Sequence, residues 1–154
     1  MHRLFTIGYE AATIAAVVDT LRAAGVDLLV DVRAVASSRR PGFAKTKLAA
    51  NLEEAGIEYR HVRALGTPAD GRAAARAGRH EEMHRIVREQ LATIDAESAL
   101  HDVGEWITSG RRACLLCFEA DPRHCHRTLV AQALTRRIPS LEVVDLRPTL
   151  SQPD

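Results

Sequence analysis

Aromatic residues are scarce in this chain: one Trp, two Tyr and three Phe among 154 residues. That scarcity argues against a base-stacking platform for single-stranded nucleic acid, since only Phe43 interleaves the basic stretch of Arg33, Arg39, Arg40 and Lys45. Cysteine is confined to Cys114, Cys117 and Cys125. An odd number so closely spaced is a poor disulfide framework and points to a reduced, cytoplasmic setting. No apolar run approaches the ~20 residues that a membrane span needs, and Met1–Gly8 lacks the apolar core of a secretion signal. No Walker A loop is present, and no glycine-rich dinucleotide fingerprint follows the first apolar run.

What is present is an ordinary globular share of apolar residues, 46%, in strand-like and helix-like runs that alternate. Leu4–Ile7, Leu28–Asp31, Glu58–Val62, Ala113–Phe118 and Leu141–Asp145 read as strands. Thr13 caps a helix that Gly25 follows, and a second runs from about Lys45 to Ala55 and is closed by Gly56. Further helices are expected from Arg79, from Glu97 to Ser109, and from an Asp121–Pro122 start to Arg137. Arg63–Gly78 reads as loop-like, its arginine–alanine run open to a partly helical or a mobile form. The expected fold is α/β: a single three-layer, Rossmann-like domain over 1–147 with a mostly parallel sheet of about five strands, then a loose tail over 148–154. Such sheets bind ligands outside the carboxyl ends of their strands. A charged residue stands at or just beyond each of the five exits, so the expectation is one pocket on one edge.

The formal charge is only +1, yet Arg33–Arg88 holds twelve Lys/Arg against six Asp/Glu. A basic centre of that kind attracts phosphate or carboxylate groups, or simply forms a solvated face.

The densest chemistry lies in Cys117–Arg127, where a buried strand turns into a helix. Cys114-x-x-Cys117 with Cys125 and His126 suggests zinc. Side chains three apart on a strand point to opposite faces, so Cys114 and Cys117 cannot share an ion. A partial site from Cys117, Cys125 and His126 survives as a minor reading, and the leading one takes no metal and no cofactor. Cys117-x5-Arg123 has the spacing of a thiolate-phosphatase loop, but Glu119 and Asp121 would repel phosphate there, and Pro122 lacks an N–H. The remaining reading is a thiol or acid–base site, with Cys117 or Cys125 acting beside Glu119 and His126 near a helix N-terminus. The bland counterpart is that Glu119 pairs with Arg127 or Arg33 to fix the loop.

Thr6–Tyr9, Leu29–Arg33, Ser38–Phe43, Ala55–Tyr59, Leu65-Gly66 and Leu116–Arg127 together resemble the family catalogued as domain of unknown function 488. The match spans nearly the whole chain in order, and its last motif is distinctive. Tyr9 stands where a histidine is common, and Ala36 where proline is frequent. The resemblance implies a compact α/β domain and emphasises Arg33, Ser38, Arg39, Phe43, Tyr59, Cys117, Glu119, Cys125, His126 and Arg127, but it supplies no reaction. The expected catalytic set is Cys117, Glu119, Cys125 and His126. The expected ligand-binding set is Tyr9, Arg33, Ser38, Arg39, Phe43, Tyr59 and Arg127. The expected ligand is an anionic nucleotide or phosphorylated compound, and whether the chain is an enzyme stays open. The rival is a nucleic-acid-binding or regulatory module working through the basic loops. A second copy of the chain is a further partner class, and a membrane is not expected.

Overall fold

The computed structural model describes residues 2–149. Alternation of strand and helix yields five strands and six helices in the order β1 (Arg3–Gly8), α1 (Ile14–Ala23), β2 (Leu28–Asp31), α2 (Lys45–Glu54), β3 (Glu58–His61), α3 (Ala69–Arg76), α4 (His80–Leu91), α5 (Ile94–Thr108), β4 (Ala113–Cys117), α6 (His126–Arg137) and β5 (Glu142–Leu146). All strand pairs are parallel and the sheet order is β3-β2-β4-β1-β5. β4, unbroken in apolar character, lies at the centre, and the more polar β3 is an edge, as its alternation predicts. The expected single α/β domain is therefore a three-layer structure with a wholly parallel sheet.

Strand alternation divides the interior into two cores. Phe5, Ile7, Leu29, Cys114 and Leu116 meet α1 and α2 on one face. Leu4, Val30, Leu115 and Cys117 meet α4, α5 and α6 on the other. Gly25 and Gly56 make the same helix-to-strand joint: each follows a helix in the left-handed region, φ 73° and 77°, and leads into a strand.

Two expectations are corrected and one open alternative is decided. The arginine–alanine run of Arg63–Gly78 is helical: it forms α3, an alanine-rich helix that buries little more than Gly71 and Ala74 and so carries no large apolar stripe. The helix expected from Glu97 starts earlier, at Ile94, because the Thr93 hydroxyl caps it by accepting from the Ala96 N–H. Asp121 and Pro122 begin a short 3-10 turn, Pro122–His124, and the α-helix starts only at His126 with Cys125 in the capping position. Of the tail expected over 148–154, residues 150–154 lie outside the described residues. Among the described residues, no helix is long and apolar enough to cross a membrane.

Candidate functional site

Because every strand runs the same way, the five exits share one edge of the sheet. They do not share one pocket, because alternation sends their side chains to opposite faces.

On the α1/α2 face the organising residue is Asp31, fully buried at the end of β2. Its Oδ1 accepts from Arg33 Nε at 2.9 Å and from the Arg33 backbone N–H at 3.1 Å. Its Oδ2 accepts from Arg33 Nη2 at 2.7 Å and from the Tyr59 hydroxyl at 2.5 Å. Arg33 Nη1 donates to the Phe43 carbonyl at 2.9 Å and to the Tyr9 hydroxyl at 3.2 Å. Burial opposes the charge on Arg33, but the Asp31 carboxylate outweighs it and holds the guanidinium protonated. Burial and the hydrogen bond to Asp31 push the Tyr59 phenol up. Tyr9 stacks on Phe43 with ring centres 4.3 Å apart. Of the expected ligand-binding residues, Tyr9, Arg33, Phe43 and Tyr59 thus come together, with the donors of Arg33 committed inside the fold. Ser38 and Arg39 lie on the long loop outside this group. The Ser38 hydroxyl accepts from the Arg40 N–H, and Arg39 is exposed.

On the opposite face β4 ends in Cys117, and α6 begins with His126 beneath it. His126 Nε2 lies 2.7 Å from the Val32 carbonyl. A carbonyl only accepts, so Nε2 carries the proton, and in the neutral ring Nδ1 presents its lone pair to the sulfurs. Nδ1 is 3.3 Å from Cys117 Sγ and 4.0 Å from Cys125 Sγ. The Glu119 carboxylate accepts from the Cys117 thiol at 3.5 Å. All three cysteines are free and buried.

The two thiols share one proton site in effect. The hydrogen bond between them, and then burial, push Cys117 well up. Burial also opposes ionisation of Cys125, but the Cys117 thiol, the His126 ring and the Arg127 charge outweigh it, and Cys125 is held well below the usual thiol range. Burial, followed by the nearby Cys125 charge, raises the Glu119 carboxyl to about 7. Burial opposes protonation of His126, yet Cys125, Val32 and Glu119 together raise it. A thiol poised to ionise, an imidazole and a carboxyl near neutrality therefore meet within one small volume, the combination expected of nucleophilic or acid–base work.

Arg127, also fully buried, holds this arrangement from behind. Its Nη1 donates to the backbone carbonyl of Glu119, Nη2 to the Ala120 carbonyl at 3.3 Å, and Nε to the Thr6 hydroxyl at 3.2 Å. The loop is thus fixed through the carbonyl of Glu119, which leaves its carboxylate for Cys117. The carbonyl can reach this position only because residue 8 lacks a side chain: a Cβ on Gly8 would sit 1.7 Å from Glu119 O. Gly8→Ala must therefore move backbone against backbone. It is expected to cost about 3 kcal/mol in chemical denaturation, the upper range for overpacking, with altered thiol reactivity in whatever folds.

His126 and Glu119 open onto a cleft of about 350 Å³, lined also by Thr67, Arg72, Ala75, Arg76, Met83 and Phe118. Its wall is α3, which places Arg72 and Arg76 one helical turn apart. Phe118 joins the two faces: it lines the cleft and packs edge-on against Tyr9 with ring centres 5.4 Å apart. The phosphatase-like spacing forms no anion cradle, since Arg123 is exposed and paired with Asp121 at 2.9 Å. As strand alternation requires, Cys114 belongs to the other core. Among the described residues, Cys117, Cys125 and His126 form the group with metal-ligand spacing, their donor atoms all within 4.8 Å of one another.

The sequence reading missed Asp31, Arg72 and Arg76. Asp31 was readable as a carboxylate closing a buried strand two residues before an arginine. The i, i+4 arginines needed α3 to be recognised as a helix first.

The family model described as "Domain of unknown function DUF488" matches residues 13–134, and the chain belongs to that family. The matched segment holds every residue named above from Asp31 to Arg127, while Gly8 and Tyr9 precede it. A search of curated proteins found no match.

Proposed function

We propose, starting from a family whose description names no reaction, that the cleft beneath α3 binds an anionic small molecule, a nucleotide or another phosphorylated compound. Glu119 and His126 at its floor act on that ligand, with Cys117 and Cys125 buried directly behind them. The observation that carries this reading is the coincidence, in one cleft of about 350 Å³, of two arginines on the wall and an imidazole and a carboxyl on the floor. A cavity of about 400 Å³ between α4, α5 and α6 also has arginines, but no imidazole lines it. Arg72 gives one donor to the Thr67 carbonyl at 3.0 Å, which orients the guanidinium and leaves its other N–H groups for an anion. Phe118 and Met83 supply an apolar surface suited to a ring. Arg33 and Arg127 support the ligand indirectly, by fixing the strand exits. The three free thiols suit a reducing, cytoplasmic environment.

A thermal-shift comparison tests the reading. A nucleoside monophosphate or diphosphate is expected to raise the melting temperature, and the matching nucleoside to do much less. Equal shifts from both would remove the anion from the account. The nucleic-acid alternative rests on the long basic loop, where Arg40 is already engaged with the Ala12 carbonyl at 2.7 Å. Salt-dependent oligonucleotide binding, abolished by charge reversal at Arg39 and Arg40, would favour it.

A further inference from the structure

We propose that Cys117, Cys125 and His126 form a site for a divalent ion of the zinc class, with its fourth position open to the cleft. The inference deepens the reading of that cleft and rests on it only for what the open position faces.

The donor atoms are already arranged for such an ion. Zinc–sulfur bonds of about 2.3 Å and zinc–nitrogen bonds of about 2.0–2.1 Å in a tetrahedron put sulfur and nitrogen roughly 3.6 Å apart. The observed Sγ–Nδ1 separations of 3.3 and 4.0 Å bracket that spacing, and the two sulfurs, within 4.8 Å of each other, need to approach to roughly 3.8 Å, so movements of about an ångström or less suffice. The imidazole is also set in the correct tautomer. Its Nε2–H is bound to the Val32 carbonyl at 2.7 Å, which directs the Nδ1 lone pair at the two sulfurs, the outer-shell contact that metal-bound histidines make. The donors come from two rigid elements, the end of β4 and the start of α6, and all three are buried. Thiolate and imidazole together suit zinc or cobalt and not magnesium or calcium.

Three protein ligands with a fourth position free is the pattern of catalytic and not of closed structural zinc sites. Glu119, 3.5 Å from Cys117 Sγ and lining the cleft, stands on the open side. An ion held by two thiolates and a neutral imidazole is a net-neutral centre, and it would serve the anion held by Arg72 and Arg76 through its open position, which can take an oxygen ligand.

The test is a cobalt titration of the reduced, chelator-treated full-length protein. Binding of about one Co²⁺ per chain is expected, with thiolate-to-cobalt charge-transfer absorption and intense tetrahedral bands that zinc bleaches. Cys114→Ala should keep the spectrum, whereas Cys117→Ser and Cys125→Ser should each lose most of the charge-transfer intensity, folding being checked by circular dichroism. Wild-type protein that shows no such bands, or a spectrum lost in Cys114→Ala and kept in Cys125→Ser, overturns the site. Nucleotide thermal shifts on the same samples separate the two readings. Bands without any nucleotide shift leave the ion and remove the anion, and a nucleotide shift without bands does the reverse.

Discussion

Asp31→Ala is expected to destabilise the protein by about 3–5 kcal/mol, the range for removing one partner of a buried ion pair. For a chain of this size the melting temperature should fall on the order of 10 °C. The reason is what the substitution leaves behind. The Arg33 side chain is 6% exposed and would keep its charge with only the Phe43 carbonyl and the Tyr9 hydroxyl as partners, while the Tyr59 hydroxyl would lose its acceptor. Removing the charges together tests this explanation directly. Asp31→Leu with Arg33→Met and Tyr59→Phe should be far closer to wild type than Asp31→Ala alone, because apolar groups of similar volume often replace a buried pair at little cost. If Asp31→Ala costs less than about 1 kcal/mol, the network is not the brace described here.

The second large effect is on thiol reactivity. In reduced, chelator-treated protein, iodoacetamide should modify Cys125 at least tenfold faster than Cys114, as read by peptide mapping over time. Both thiols are buried, but they differ in surroundings. Cys114 lies in the α1/α2 core, where burial above all pushes its thiol up and suppresses the nucleophilic form. Cys125 has His126, the Cys117 thiol and Arg127 to stabilise its thiolate. The sign follows from the direction of that shift. A thiol held below the ordinary range of about 8.5 stays ionised to lower pH than a free cysteine does, so its labelling should decline less as the pH falls. His126→Asn should restore the ordinary steep dependence. Equal, slow labelling of Cys114 and Cys125 would show that the cluster does not activate a thiol, and loading with zinc should protect Cys117 and Cys125 alike.

Much of this was legible before any coordinates. The strand–helix alternation dictated a parallel sheet, and the unbroken apolar run before Cys117 placed that residue at the end of a central strand. The same period-two geometry separated Cys114 from Cys117, and the structure puts them in different cores. What that geometry should also have revealed is that Arg33 and Cys117 point to opposite faces. Treating the strand exits as one pocket ignored this parity. Arg127 was unreadable for another reason: the sequence shows a cation and a carboxylate eight residues apart, but not that the cation would take the backbone carbonyl instead. α3 stayed undecided between helix and mobile loop because a helix packed mainly through glycine and alanine has no stripe of large apolar residues to announce it. With it went Arg72 and Arg76, the residues on which the proposed anion binding depends.

Those two arginines supply the most direct measurement. Calorimetric titration of a nucleoside diphosphate into wild-type protein and into Arg72→Ala/Arg76→Ala should show at least a tenfold loss of affinity in the variant, about 1.4 kcal/mol or more, at unchanged stability. Binding that survives the loss of both arginines yet disappears on charge reversal at Arg39 would move the ligand to the long basic loop and contradict the site described here.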